Sequence, residues 1–365
     1  MDQPASWPDR RILDLFGIEL PIIQAPMANS STAEMALAVC QAGGLGSIPC
    51  AALTPDQARA AVALVRAGSQ GPVNLNFFSH TTPKPDPVRM MGWRARLAPY
   101  YVEAGIDPAP PPPVGGRAPF DEAFCALVED VKPEVVSFHF GLPDAALLER
   151  VRATGARIIS SATTVAEAIW LEQRGVDAVI ATGFEAGGHR GSFLNLDMSV
   201  QPGTVALVPQ VVDAVTVPVI AAGGIADGRG VAAAFALGAA AVQIGTAYLF
   251  SPEAMVSPVQ KALLDRATDE TTQVTNVFTG RPARGVINRV MREIGPLSDD
   301  APAFPTAGGA LAPLRAKAES EGRGDFTNQW AGQAARLAPR LPSAELTRAL
   351  AADALERLAS LGRAV

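Results

Sequence analysis

The chain has 365 residues, 48% hydrophobic and 18% charged, with 33 glycines and 31 prolines, a composition that excludes general disorder and describes a large buried core with many turns. A net charge of −6, with only four lysines, offers no basic field to nucleic acid or an anionic membrane, so small-molecule chemistry is the default. The three cysteines, Cys40, Cys50 and Cys125, are odd in number and lack CxxC spacing, which speaks against a disulfide framework or a zinc ribbon.

From the N-terminus, MDQPASWPDRRILDLFG places charges and prolines where a secretory signal needs an apolar run, so a cytoplasmic location is expected. Short apolar runs bounded by Gly and Pro then recur. They are PIIQAPM from Pro21, LGSIPC from Leu45, PVNLNFFS from Pro72, VVSFHFG from Val135, ARIISSA from Ala156, AVIATG from Ala178, PVIAAGG from Pro218 and AVQIGT from Ala241. Segments such as STAEMALAVCQAG and TVAEAIWLEQRG lie between them, opening on Ser or Thr and closing on Gly, which is helix punctuation. Eight apolar strands alternating with helices predict an α/β fold, a closed (β/α)8 barrel over residues 10–250. The uncharged stretch from Gly230 to Pro252 is long enough for a membrane span, but its Ala/Gly content and the strand-like AVQIGT predict a buried helix and a buried strand.

Two connections exceed an ordinary βα unit. Residues 80–120 hold HTTPKPDP and DPAPPPPVGG, expected to run over the surface as extended chain and short helix, and Gly183 to Gly203 contain FEAGGHRGSF. Both follow strands and therefore belong on the C-terminal face, where barrels build their sites. Residues 251–320 are expected to form a smaller helical subdomain on the substrate side, and residues 321–365 C-terminal helices. Leu346, Leu350, Leu358 and Leu361 mark an amphipathic tail that packs on the barrel or on a second subunit, which leaves a homodimer open.

The only histidines, His80, His139 and His189, all approach that face. His80 reads as structural. His139, inside an apolar strand, reads as a pocket residue or a satisfied core histidine. His189 sits in a Gly-Gly-His-Arg-Gly turn, a setting for a general base or acid, while Arg190 is open between a surface residue and an anion contact. No HxH pair is present and Glu185 is the single nearby carboxylate, so no metal site is assigned. After the seventh and eighth strands, Gly223, Gly224, Gly245 and Thr246 fit a phosphate-holding pair of loops. GxGxxG is missing after the first strand, so a mononucleotide fits better than a dinucleotide.

These stretches resemble the nitronate monooxygenases, a family of FMN-dependent barrels. The resemblance is carried by QAPMA at Gln24–Ala28, NFFSH at Asn76–His80, SFHFG at Ser137–Gly141, GFEAGGHRG at Gly183–Gly191 and AAGGIADGRG at Ala221–Gly230. VQIGTAYL at Val242–Leu249, NVFTGRPARGVINR at Asn276–Arg289 and DFTNQWAGQ at Asp325–Gln333 continue it nearly to the end of the chain. It implies that Met27 and Asn76 contact the flavin ring or ribityl chain, that Gly187 and Gly188 approach the flavin, and that Gly224, Gln243, Gly245 and Thr246 hold the FMN phosphate. His189 matches the family's catalytic histidine and His139 a second pocket histidine. Two departures lie near the expected cofactor: Asn29-Ser30 in place of Gly-Gly after QAPMA, and Thr182 in place of Gln before GFEAGGHRG. The implied reaction is oxidation of an alkyl nitronate by O2 to a carbonyl compound and nitrite, with protonated His139 or His189, or Arg190, holding the anion and His189 as base toward neutral nitroalkanes. An NAD(P)H-dependent quinone or enoyl-thioester reductase on the same barrel is the nearest alternative. A non-redox lyase or isomerase of a phosphorylated substrate is the alternative of another class.

Overall fold

The computed structural model describes residues 6–107 and 117–363, so most of the proline run in the first long connection lies outside the described residues. In chain order the strands are β1 Ile22–Gln24, β2 Gly46–Pro49, β3 Val73–Phe78, β4 Val135–His139, β5 Arg157–Ala162, β6 Ala178–Thr182, β7 Gly188–His189, β8 Val219–Ala222, β9 Ala241–Ile244, β10 Thr272–Thr275 and β11 Ala283–Val286. All eight expected runs are strands, paired in parallel in the order β1-β9-β8-β6-β5-β4-β3-β2. A parallel bridge from Ile23 to Leu45 joins the two outer strands, and Gln24 N donates to Leu45 O at 3.0 Å, which closes the barrel. Closure leaves no free edge, and helices cover the outside.

Helix boundaries follow local chemistry. Thr54 and Gln57 form a capping box at the start of Pro55–Gly68, with Pro55 in the first turn where its missing N–H costs nothing. Gly228–Ala236 followed by β9 replaces any notion of a span from Gly230 to Pro252. Among the described residues no helix is long and apolar enough to cross a membrane. The tail is one helix, Ser343–Arg363, preceded by a 3-10 turn at Ala335–Leu337. Leu346, Leu350, Ala351 and Ala354 bury it in the barrel core, whereas Leu361 is 63% exposed and takes no part in the seam.

The second unit departs from the expected helical subdomain in two ways. It contains a three-stranded antiparallel sheet, β10-β11-β7, and its core is built jointly by the insertion and the C-terminal region. The insertion is no short surface helix: Pro87–Ala104 runs for 18 residues and buries Trp93, Leu97 and Tyr101 against Val277, Met291, Leu311 and Phe326. Trp93 Nε1 donates to Ala307 O at 3.0 Å and Tyr101 Oη to Ala310 O at 2.6 Å, satisfying polar groups that burial would otherwise strand. Proline at the start of that helix and the apolar spacing Trp93, Leu97, Tyr101 are the local reasons it forms.

Candidate active site

One cavity of about 490 Å³ opens at the C-terminal ends of the barrel strands. Of the residues expected in the site, Met27, Asn76, His139, Gly187, Gly188, His189, Gly223, Gly224, Gln243, Gly245 and Thr246 line it. The barrel supplies one wall. Gly223 and Gly224 turn at φ 103° and 71°, values that favour glycine, and carry the chain across the mouth of β8. Thr246 follows β9 and its Oγ1 accepts from Gly332 N at 2.9 Å, tying the late chain to this wall. Asn29, where glycine was expected, has φ 63°. Asparagine is among the non-glycine residues that best tolerate this left-handed conformation.

His139 ends β4, and its ring nitrogens are both engaged. Nε2 lies 3.2 Å from His189 O, which can only accept, so Nε2 carries the proton and Nδ1 accepts from Ser161 Oγ at 2.7 Å. Its pKa is pushed down to about 4, chiefly by burial and next by the charge of Arg281. The chain then turns sharply through Phe140, at φ 72°, a conformation a bulky side chain holds only under surrounding constraint. That constraint is the packing of Phe78 and Phe304 and the Arg281 guanidinium 4.0 Å above the Phe140 ring.

His189 sits on β7, which pairs with β11 through Ala283 opposite His189 and Arg284 opposite Gly188. A two-residue strand leaves no periodicity to read, so the loop expected here is in fact an anchored edge. His189 Nε2 lies 3.0 Å from Thr279 Oγ1. That hydroxyl can donate to Arg281 O at 3.3 Å, which leaves it to accept from Nε2–H. Nδ1 takes no partner among the described residues and is left to the cavity that His189 lines. Burial first, then the positive charges of Arg117 and Arg281 and the neighbouring histidines, hold the His189 pKa well below 6.5.

Three sequence expectations need revision. Burial and neighbouring positive charge hold both His139 and His189 below the ordinary imidazole pKa, so neither starts near neutrality as the cation that meets an incoming anion. Arg190 is buried away from the cavity, donating to Thr182 O and Gln201 Oε1 at 2.9 Å each, and it fastens loop to strand. The glycines around His189 serve mainly protein contacts: a Cβ on Gly187 would reach Gly332 N at 2.5 Å, and one on Gly191 would reach Ser161 Oγ at 2.6 Å. Gly188, at φ 77° with nothing within 4 Å of an added Cβ, is the more open of the two that line the cavity. His80 is buried, lies beside Phe304 at 4.8 Å and does not line the cavity. Thr182, in place of the expected Gln, lines it. Cys40, Cys50 and Cys125 are free and buried, and among the described residues no group of three His, Cys, Asp or Glu could hold a metal.

Residues unassigned from the sequence complete the second wall. Trp330 stands 5.4 Å from His189, and Arg117, Arg315 and Gln260 line the same cavity. Thr279 and Trp330 fall inside motif stretches already quoted, yet nothing in their spacing reveals that they meet His189.

A barrel face with one wall of glycine turns and another of aromatic and basic side chains around a neutral histidine belongs to an enzyme that positions a small molecule against a cofactor. Residues 9–353 match the nitronate monooxygenase family. The chain is 42% identical over 345 residues to a nitronate monooxygenase of Paraburkholderia phytofirmans, covering 93% of this chain and 94% of that one. A nitroalkane oxidase from Streptomyces ansochromogenes superposes with a TM-score of 0.86 at 38% identity, covering 96% and 99% of the two chains. FabK from Thermotoga maritima superposes at 0.73 with 30% identity, over 97% and 99%. The chain belongs to the nitronate monooxygenase family, whose members are flavin-dependent oxidoreductases.

Proposed function

We propose that this enzyme uses FMN and O2 to oxidise alkyl nitronates, and nitroalkanes once an α-proton is removed, to a carbonyl compound and nitrite. The observation that carries the reading is His189, which lines the cavity with Nε2 engaged by Thr279 and with no partner to Nδ1 among the described residues, beside the glycine turns that line the same cavity. FMN fits the glycine wall. The cavity volume, about 490 Å³, lies within the range of cofactor sites. Gln243 Oε1 is a buried acceptor without a protein partner, a costly arrangement that a ligand hydroxyl or ring N–H relieves. Gly223, Gly224, Gly245 and Thr246 would hold the phosphate, Met27 and Asn76 the ring or ribityl chain, and Gly188 would allow close approach. When bound, FMN accepts the electrons of the oxidation and passes them to O2.

The protein's own work is proton transfer and positioning. His189 Nδ1 takes the α-proton of a neutral nitroalkane, and the nitronate formed beside it is the counter-charge for the resulting imidazolium. Thr279 fixes the tautomer by accepting from Nε2–H, and His139 steadies the backbone by donating to His189 O. Thr279→Val is expected to lower kcat on a neutral nitroalkane roughly tenfold, the scale of one hydrogen bond, with Thr279→Ser restoring most of it. An unchanged kcat in T279V would show that the tautomer is set elsewhere. The site as a whole is tested by adding propyl-1-nitronate anaerobically to the purified protein. Flavin bleaching without NAD(P)H is expected. A yellow protein bleached only by NAD(P)H would favour a quinone or enoyl-thioester reductase. A colourless protein that takes up no FMN would overturn the flavin assignment.

A further inference from the structure

We propose that Arg117 is the cation that draws the nitronate anion to His189 and sets the enzyme's preference for the anion over the neutral nitroalkane; the inference rests on the nitronate reading above. The argument is one of charge. A nitronate needs a positive partner in a partly dry cavity, and the histidines there are neutral. Three arginines near them are already committed to backbone carbonyls and do not line the cavity. Arg190 donates to Thr182 O, Arg281 to Ser192 O, and Arg284 to Phe184 O at 3.0 Å.

Two arginines do line it, Arg117 and Arg315, and neither joins an ion pair among the described residues. Arg315 is exposed and donates to Asn328 Oδ1 at 3.0 Å. Arg117 is half-buried and makes no hydrogen bond to the described residues. Glu319 is the lone carboxylate on the cavity wall and accepts from Thr327 Oγ1 at 2.8 Å. Arg117 and His189 line the same cavity, and after burial the guanidinium is the foremost charge holding the His189 pKa down. A half-buried guanidinium without a carboxylate is an incomplete pair, and an anion delivered to His189 completes it.

The FMN phosphate is an anion too, so the experiment separates the two sources. Arg117→Gln and Arg117→Lys are prepared as holoenzymes and assayed by O2 uptake with propyl-1-nitronate and 1-nitropropane, and the FMN dissociation constant is read from flavin fluorescence. In R117Q the nitronate KM is expected to rise about 10- to 100-fold, and the nitronate-over-nitroalkane ratio of kcat/KM to fall by a similar factor, with FMN affinity within about threefold of the parent. R117K should recover most of the loss. An unchanged nitronate KM in R117Q would overturn the proposal, as would weakened FMN binding in its place, which would give the guanidinium to the phosphate. Should R117Q fail to fold, inorganic nitrate decides on the parent and R117K. Nitrate should perturb the flavin spectrum and inhibit competitively, with salt-sensitive affinity in both, and its failure to bind the parent would overturn the proposal. If the parent does not oxidise propyl-1-nitronate at all, the nitronate reading fails separately, and nitrate binding to parent and R117Q still tests Arg117.

Discussion

His189→Asn is expected to lower turnover of neutral nitroalkanes by about 10²- to 10⁴-fold, the usual contribution of a positioned base, while preformed nitronates lose far less. Asparagine keeps polarity at the site but has no nitrogen lone pair to take a proton. The expected discrimination follows from the position of that lone pair: Nε2 is spent on Thr279, and Nδ1 faces the cavity. The accompanying pH profile follows from burial. Because the His189 pKa lies well below 6.5, the base is neutral at and above that pH, so the parent's rate on a neutral nitroalkane stays flat there. It falls only as pH drops through the depressed pKa. H189N should lack that acid limb. Rates measured with 1-nitropropane and propyl-1-nitronate decide the matter, and equal losses on both would remove His189 from the role of base.

Trp93→Ala is expected to cost about 3–5 kcal/mol of stability, the range for emptying a large buried aromatic site. Trp93 is 0% exposed, and its indole also bonds Ala307 O, so the truncation opens a cavity and strands a carbonyl. At roughly 2–4 °C per kcal/mol, calorimetry should show the melting temperature lowered by about 6 °C or more. A functional cost comes with it. Phe278, next to Thr279, and helix Gly308–Ser320, which carries Arg315, belong to the same core, so the nitronate KM should rise as that wall loosens. A melting temperature within about 2 °C of the parent would mean that the insertion helix does not hold this wall.

The barrel was legible because each of its strands is an apolar run closed by Gly or Pro, a pattern that buried parallel strands impose. The strand pattern also placed His139 at the end of β4 and the Gly223-Gly224 turn after β8, whereas Asn76 and Gln243 were singled out by the family resemblance and not by any local pattern. The second wall was not legible. Trp93 meets Ala307 across more than 200 residues of chain, and β7 is two residues long, so neither contact leaves a local trace. Arg190 illustrates a different limit. A basic residue next to a candidate base reads as a ligand contact, yet the carbonyls of Thr182 and Gly183 claim it, an outcome fixed by how the loop folds back on β6. His139 was ambiguous between pocket and core because it is both, lining the cavity while spending its nitrogens on Ser161 and His189.

The division of the cavity between two cores bears on how this scaffold changes over time. Gln243 lies in β9, and Gly223, Gly224 and Gly245 follow directly on β8 and β9, strands whose displacement would disturb barrel closure, so that wall is constrained by the fold itself. Trp330, Arg315 and Thr279 hang from a core assembled by an insertion and a C-terminal segment, and their neighbours repack without moving a barrel strand. Substitutions in that second core are thus less tightly coupled to barrel closure than substitutions at the glycine wall. His189 stands at the seam, its backbone clamped by His139 from the barrel and its ring held by Thr279 from the other side.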